Sequence, residues 1–234
     1  MNSKEKFCEA DMYKPIKDFF ISSGYMVRGE VKGCDIVAVK DDEIIMIELK
    51  KFFNLKLIYQ AMDRQKITDN VFMAIPRIAK FKDYKNIVKL VKRLNLGLIV
   101  VSMDSPIKLV EVIVYPSRST VKKQKKATEK ILKEATGRTF DINIGGTSGK
   151  KINTVFREKS IKIACALEKE GVASAKDLVK LYNFEKDTSA ILYKNHYNWF
   201  TRVSRGKYCL NDKGRYELEE QAFEKIVSHY REVL

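Results

Sequence analysis

Apolar positions along the first half of this chain recur at two different spacings. From Lys6 to Ser23, Phe7, Met12, Ile16, Phe19 and Phe20 fall on one helical face, and Gly24 follows as a C-cap. Three β-rich runs come next, Tyr25–Val31, Cys34–Lys40 and Ile44–Lys50, separated by Gly33 and by Asp41-Asp42 as turn signals. Leu55–Ile67 returns to helical spacing with Leu57, Ile58, Ala61 and Met62 on one face. Val71–Ile75 reads as a buried strand stopped by Pro76, Asp83–Leu94 as a Lys-rich amphipathic helix, and Gly97–Ser102 as a further strand. The order is αβββαβαβ, with a strand at Lys108–Tyr115 after it. Strands interleaved with helices predict a mixed sheet covered on both faces.

The pattern changes after Pro116. Between Val121 and Ser160 eleven basic residues face four acidic ones, around one helix (Val121–Ala135) and the loop Gly145-Gly146-Thr147-Ser148-Gly149. This loop lacks the GxxxxGK[ST] spacing of a P-loop, so it reads as a linker or a loop touching a nucleic-acid backbone. From Phe156 the signals are helix (Ile161–Glu170), a capping box at Ser174–Asp177 opening a second helix, a third helix (Asp187–Tyr197), a hairpin and a closing helix (Gly214–Val233). The hairpin strands are Trp199–Ser204 and Lys207–Leu210, turning at Arg205-Gly206. That order is the winged-helix order, in which the third helix enters a groove and the hairpin touches backbone; a small helical packing or dimerisation domain is the competing reading. Three regions are expected: an α/β core over 1–118, a basic connector over 119–151, and a winged-helix-like nucleic-acid-binding domain over 152–234.

Charge adds a partner to this picture. The 234 residues carry 45 Lys and Arg against 30 Asp and Glu, a formal net charge of +15. Such an excess favours a polyanion, because each neutralised phosphate releases condensed counterions. Lys122, Lys123, Lys125, Lys126, Arg205 and Lys207 are the candidate nucleic-acid contacts; solubility is the competing use of surface lysines. No apolar run approaches the roughly 20 residues of a membrane helix. The polar start, Met1–Lys6, lacks a signal peptide's apolar stretch, and the four cysteines are far apart, so a reduced cytoplasmic protein is expected.

The chemistry concentrates in Gly33-Cys34-Asp35-Ile36-Val37 and Ile47-Glu48-Leu49-Lys50. If Asp41-Asp42 is a two-residue turn, Lys40 faces Glu43 and Asp35 faces Glu48 on the same side of the sheet. Facing residues on antiparallel strands have Cβ atoms about 4.5–5.5 Å apart. Lys50, two residues on, projects from that side too. Two close carboxylates among Val37, Val39 and Met46 repel unless a divalent cation joins them, and Mg²⁺ (or Mn²⁺) favours such a ligand set. The competing reading is a surface hairpin with cross-strand salt bridges. Against it, Ile44-Ile45-Met46-Ile47 does not alternate as an edge strand would.

Asp…Glu-x-Lys on a hairpin in an αβββαβ order resembles the PD-(D/E)xK nuclease superfamily. Over nearly its full length the chain is similar to a bacterial family of PD-(D/E)xK-type phosphodiesterases, number 2161 among the domains of unknown function. The stretches that carry this include Met12–Lys17, Gly33–Val37, Glu48–Leu55, Gln60–Arg64, Arg138–Gly146 and Trp199–Tyr208. The resemblance implies a restriction-endonuclease-like core, with Asp35, Glu48 and Leu49 at the metal and Lys50 as catalytic lysine. Cys34 stands where the motif's literal Pro would be. Glu9 on the first helix and Glu30 at the end of the first strand are possible additional acids. Gln60 and Arg64 share a helix face at i and i+4 and are placed with the catalytic and nucleic-acid-binding residues respectively, a surface pair being the alternative. His196 and His229 have no partners at ligand spacing, and Trp199 and Phe200 are read as small-domain core. The functional expectation is a metal-dependent nuclease acting on DNA in preference to RNA. The alternatives are an inactive nuclease fold serving as a DNA-binding or regulatory module, and an interaction protein whose small domain pairs with itself, as a homodimer, or with another subunit.

Overall fold

The computed structural model describes residues 7–77, 84–103 and 108–234; the polar start Met1–Lys6 and the expected helix start at Asp83 lie outside them. The chain forms two compact units, Met1–Ile152 and Asn153–Leu234. The first contains α1 (Tyr13–Ser22), β1 (Met26–Val31), β2 (Cys34–Lys40), β3 (Glu43–Leu49), α2 (Leu55–Arg64), β4 (Val71–Pro76), α3 (Tyr84–Arg93), β5 (Gly97–Val101), β6 (Val110–Val114) and α4 (Lys125–Thr136). The six strands make one mixed sheet in the order β1-β2-β3-β4-β5-β6, antiparallel except for the parallel pairs β3-β4 and β4-β5.

Both faces of this sheet are covered, which is why its middle strands read as near-continuous apolar runs. On one face Ile45, Ile47 and Leu49 of β3 pack with Ile36 and Ala38 of β2 beneath Met12, Ile16 and Phe20. On the other, Val37, Val39, Ile44 and Met46 pack with Ile131 and Ala135 of α4, while Leu57, Ile58 and Ala61 of α2 pack over β4 and β5. Asn54 caps α2 by accepting from the Leu57 N–H at 2.9 Å, so the strand-to-helix turn right after Lys50 is fixed locally. Met62, expected on the buried face of α2, is instead exposed with Leu55 and Tyr59. The stretch 119–151, expected as a connector, supplies a helix that packs against β1 and β2.

The second unit runs α5 (Val155–Glu170), β7 (Val172–Ser174), α6 (Ala175–Tyr182), α7 (Thr188–Lys194), β8 (Phe200–Ser204), β9 (Lys207–Leu210), α8 (Asp212–Leu218) and α9 (Glu224–Val233), with the sheet β7-β9-β8. The Ser174–Asp177 capping box is present. Where one closing helix was expected, α8 and α9 are separated by a 3-10 turn over Gln221–Phe223 whose Phe223 is buried. Trp199 is buried here, as its core reading expected. Among the described residues no helix is long and apolar enough to cross a membrane, and the four cysteines are free.

Truncating the middle of β3 tests the two-sided burial. Ile47→Ala should lower unfolding free energy by about 2–5 kcal/mol, whereas Lys56→Ala on the exposed side of α2 should stay within about 0.5 kcal/mol. Denaturant titration followed by circular dichroism measures both.

Candidate active site

Two tight turns set the geometry. Lys32 and Gly33, between β1 and β2, take φ values of 50° and 74°, and Val31 pairs with Cys34 across them. Glu30 and Asp35 occupy the step between that pair and Gly29–Ile36. On the other side of β2 the register runs from Lys40–Glu43 to Ile36–Ile47, so the next step brings Asp35 opposite Glu48. One rung across three neighbouring strands therefore carries Glu30, Asp35 and Glu48.

Glu48 has no solvent exposure, and the side chains of Asp35 and Lys50 are 14% and 13% exposed. Burial, and then the negative charge of Asp35, push the Glu48 carboxyl up to about 7 from its usual 4.5, with Arg64 pulling the other way. Burial also raises Asp35, although the Leu49 N–H donates to its Oδ2 at 2.8 Å. Arg64 forks between the two hairpins: its Nε donates to Glu48 Oε1 at 2.7 Å, and its Nη2 to the Gly33 carbonyl. Lys50 Nζ lies 4.0 Å from Asp35 Oδ2 and donates to Glu9 Oε2 at 3.2 Å and to the Leu49 carbonyl at 2.7 Å. Glu9 also accepts from the Lys51 N–H at 3.4 Å. Asp35, Glu48, Lys50 and Glu9 thus come together, and the Leu49 carbonyl faces the lysine.

Whether a divalent cation fits can be judged from these donors. Glu48 Oε2 is buried with no hydrogen-bond partner among the described residues, and so is Glu30 Oε1. An orphaned buried carboxylate oxygen is costly unless something positive occupies its free side. The available donors are oxygens, as a hard cation requires. No group of three or more His, Cys, Asp or Glu side chains is close enough to hold a metal among the described residues. Asp35 and Glu48 would supply two carboxylates to a hard divalent cation, whose remaining positions water and substrate phosphate ordinarily fill.

Comparison with known proteins narrows the class. Residues 99–217, just over half of the chain, match the family described as "Putative PD-(D/E)XK phosphodiesterase (DUF2161)". The chain belongs to this family. No curated protein and no solved structure matches it. The family's description is that of a hydrolase of phosphate esters, and the mixed six-stranded α/β sheet is consistent with a PD-(D/E)xK-like fold. The matched stretch begins at β5, after the acidic rung, so the roles of Asp35, Glu48 and Lys50 rest on their own geometry.

The family match nevertheless reaches the rung through a loop. Within the matched stretch, Arg138 is buried and its Nη1 donates to the Gly29 carbonyl at 3.1 Å, which ties the end of α4 to β1. Beyond it the chain crosses the rung: the backbone N–H groups of Gly146 and Thr147 hydrogen-bond the Glu30 carboxylate, and burial is the main influence raising that group. Glu30 itself holds a left-handed φ of 51°, a strained setting for a non-glycine residue. Glycine is required at 145 because a Cβ there would sit 2.2 Å from the Asp35 carbonyl oxygen. The sequence reads this loop as a linker or a loop touching a nucleic-acid backbone. The signal that was available was its Gly-Gly pair, which marks close backbone approach, but nothing local says to what.

The remaining candidates are scattered. Gln60 lies one helical turn before Arg64 on α2, with a buried Oε1 that has no partner among the described residues. Lys122, Lys125 and Lys126 are exposed at or before the start of α4. Lys123 is committed to structure: its Nζ donates to Asp69 Oδ1, the Gln65 carbonyl and Ser119 Oγ. Arg205 and Lys207 are exposed at the hairpin of the second unit.

Two measurements follow from this geometry. A carboxyl raised in the folded state keeps its proton there while the unfolded chain has lost it. The Glu48 contribution to stability is therefore present below pH 4.5 and lost as pH rises through about 7. Glu48→Gln should flatten the pH dependence of unfolding across that window, read from denaturation midpoints at a series of pH values. Gly145→Ala should destabilise the protein by about 1–3 kcal/mol, because its added methyl meets backbone. Thermal melting reads this loss; an unchanged melt would mean that the loop does not cross Asp35.

Proposed function

We propose that this protein is a metal-dependent nuclease that hydrolyses phosphodiester bonds in nucleic acid, with DNA favoured over RNA. The observation that carries the reading is the buried pair Asp35 and Glu48, with an unpartnered Glu48 oxygen and the Lys50 ammonium 4.0 Å from Asp35. Family membership supports the reaction class. In this proposal Asp35 and Glu48 would hold Mg²⁺ (or Mn²⁺), with the Leu49 carbonyl, which accepts from Lys50, as a further oxygen ligand and Glu9 and Glu30 as additional acids beside them. When bound, the cation supplies Lewis-acid polarisation of the scissile phosphate and a more acidic water.

The chain's own groups do the rest. Arg64 neutralises one oxygen of Glu48 and sets the carboxylate's rotation, leaving Asp35 within hydrogen-bonding reach of the same carboxyl. The Leu49 N–H orients Asp35. Lys50, held by Glu9 and the Leu49 carbonyl, presents a positive charge where negative charge grows on the phosphate oxygens in the transition state. The low exposure of Glu48, Asp35, Lys50 and Arg64 makes their interactions stronger than in water.

The second unit is proposed as a winged-helix-like nucleic-acid-binding domain. Its order α5-β7-α6-α7-β8-β9 and its exposed hairpin tip at Arg205-Gly206 support that role. A second reading, self-association as a homodimer, is favoured by one observation: Phe52, Leu55, Tyr59 and Met62 are all exposed around α2. Light scattering over a range of concentrations distinguishes the two, since only the second makes mass depend on concentration in the absence of DNA.

The enzyme itself is tested on single-stranded, duplex, branched and RNA substrates with and without Mg²⁺ or Mn²⁺. Asp35→Asn and Lys50→Ala should each lower cleavage by on the order of 10²–10³-fold while the melting curve stays cooperative. Salt-sensitive DNA binding without cleavage by the wild type under any metal would instead leave an inactive nuclease fold acting as a binding module.

A further inference from the structure

On the face of the first unit carrying α2 and α4, a cavity of about 310 Å³ opens next to the β1-β2 turn. Four cations line it, Lys32, Arg64, Lys66 and Lys130, against the single carboxylate of Asp63, and Ile131 is part of its apolar wall. Lys66 pairs with Asp63, and Lys32 lies 3.6 Å from Glu134. Both lysines are about half exposed, so these pairs hold them weakly and exchange readily for a stronger anion. Lys130 is exposed on α4, and Lys126 lies one helical turn before it.

Arg64 joins this groove to the acidic rung. The same guanidinium that lines the cavity donates its Nε to Glu48 and its Nη2 to the Gly33 carbonyl. An anion seated in the groove is thus separated from a candidate metal-holding carboxylate by one side chain. A planar guanidinium suits that position, because its several donors can serve a carboxylate and a phosphate at once.

We propose that the α2-α4 groove is a track for the sugar–phosphate backbone of nucleic acid, leading past Arg64 to Asp35 and Glu48. It rests on the nuclease reading for its destination, and it adds the path the substrate takes. The groove offers an excess of positive charge on an apolar wall, with Gln124 its one uncharged side-chain amide. That combination holds backbone without reading sequence.

The test uses the full chain, carrying the inactivating Asp35→Asn change so that the probe survives, and a short fluorescein-labelled DNA duplex followed by anisotropy across a salt series. Adding Lys66→Gln with Lys130→Gln should weaken binding about tenfold at low salt and flatten the slope of log K against log salt by roughly 2, near 0.9 for each lost phosphate contact. Lys85→Gln with Lys89→Gln, which removes two exposed lysines of α3 instead, should change neither by a comparable amount. Unchanged affinity and slope in the first pair, or an equal loss in the second, would overturn the groove. Failure of the nuclease reading shows elsewhere: wild type unable to hydrolyse bis(p-nitrophenyl) phosphate with Mn²⁺ sinks the chemistry, while a selective binding loss in the groove variant still upholds the track.

Discussion

A carboxylate with no solvent exposure, set beside a second carboxylate, is the constraint around which the first unit is arranged. Glu48 occupies the end of β3, where the strand lies between two apolar layers, and burial opposes its ionisation. Isolated, such a group would simply keep its proton. Arg64 satisfies one of its oxygens from α2, and Asp35 lies within hydrogen-bonding reach of the same carboxyl. The protein's own cations thus neutralise the acidic pair only in part. A stably folded domain retains such a pair only against a cost, which is why the geometry carries functional weight.

The surrounding structure keeps this pair in place. Two-residue turns at Lys32-Gly33 and Asp41-Asp42 set the register on either side of β2. The Asn54 cap starts α2 immediately after the motif, so Arg64 arrives one strand-to-helix connection later on the side of Glu48. From the other end of the unit, the chain after α4 is pinned by Arg138 and lays the N–H groups of Gly146 and Thr147 on Glu30. The rung is bounded by segments more than 100 residues apart in sequence, and this makes the site a product of the whole unit.

The family match and the acidic rung bear on different parts of the chain. The former covers residues 99–217, from within β5 into α8, and supports a hydrolase of phosphate esters; the latter lies before it and provides oxygen donors and a lysine. They meet physically at the Gly145–Thr147 loop, which belongs to the matched stretch and touches the rung. The formal net charge of +15 favours a polyanionic partner for the proposed chemistry.

The hairpin was legible in the sequence because its rules are local. A two-residue turn and period-two alternation are enough to set Asp35 against Glu48, and the capping box at Ser174 is likewise complete within four residues. The helical break before Phe223 and the exposure of Met62 were not legible, since both depend on which neighbours are present to bury a face. Glu30 was named but not placed: its left-handed backbone and its position on the rung come from the Lys32-Gly33 turn acting with the Gly146-Thr147 loop. Lys123 illustrates the same limit, as a run of lysines gives no sign that one of them is tied to Asp69, more than fifty residues earlier. Periodicity determines which side chains share a face, because it depends only on backbone geometry. Which charges meet across that face is decided by packing, where burial alters the strength of every interaction.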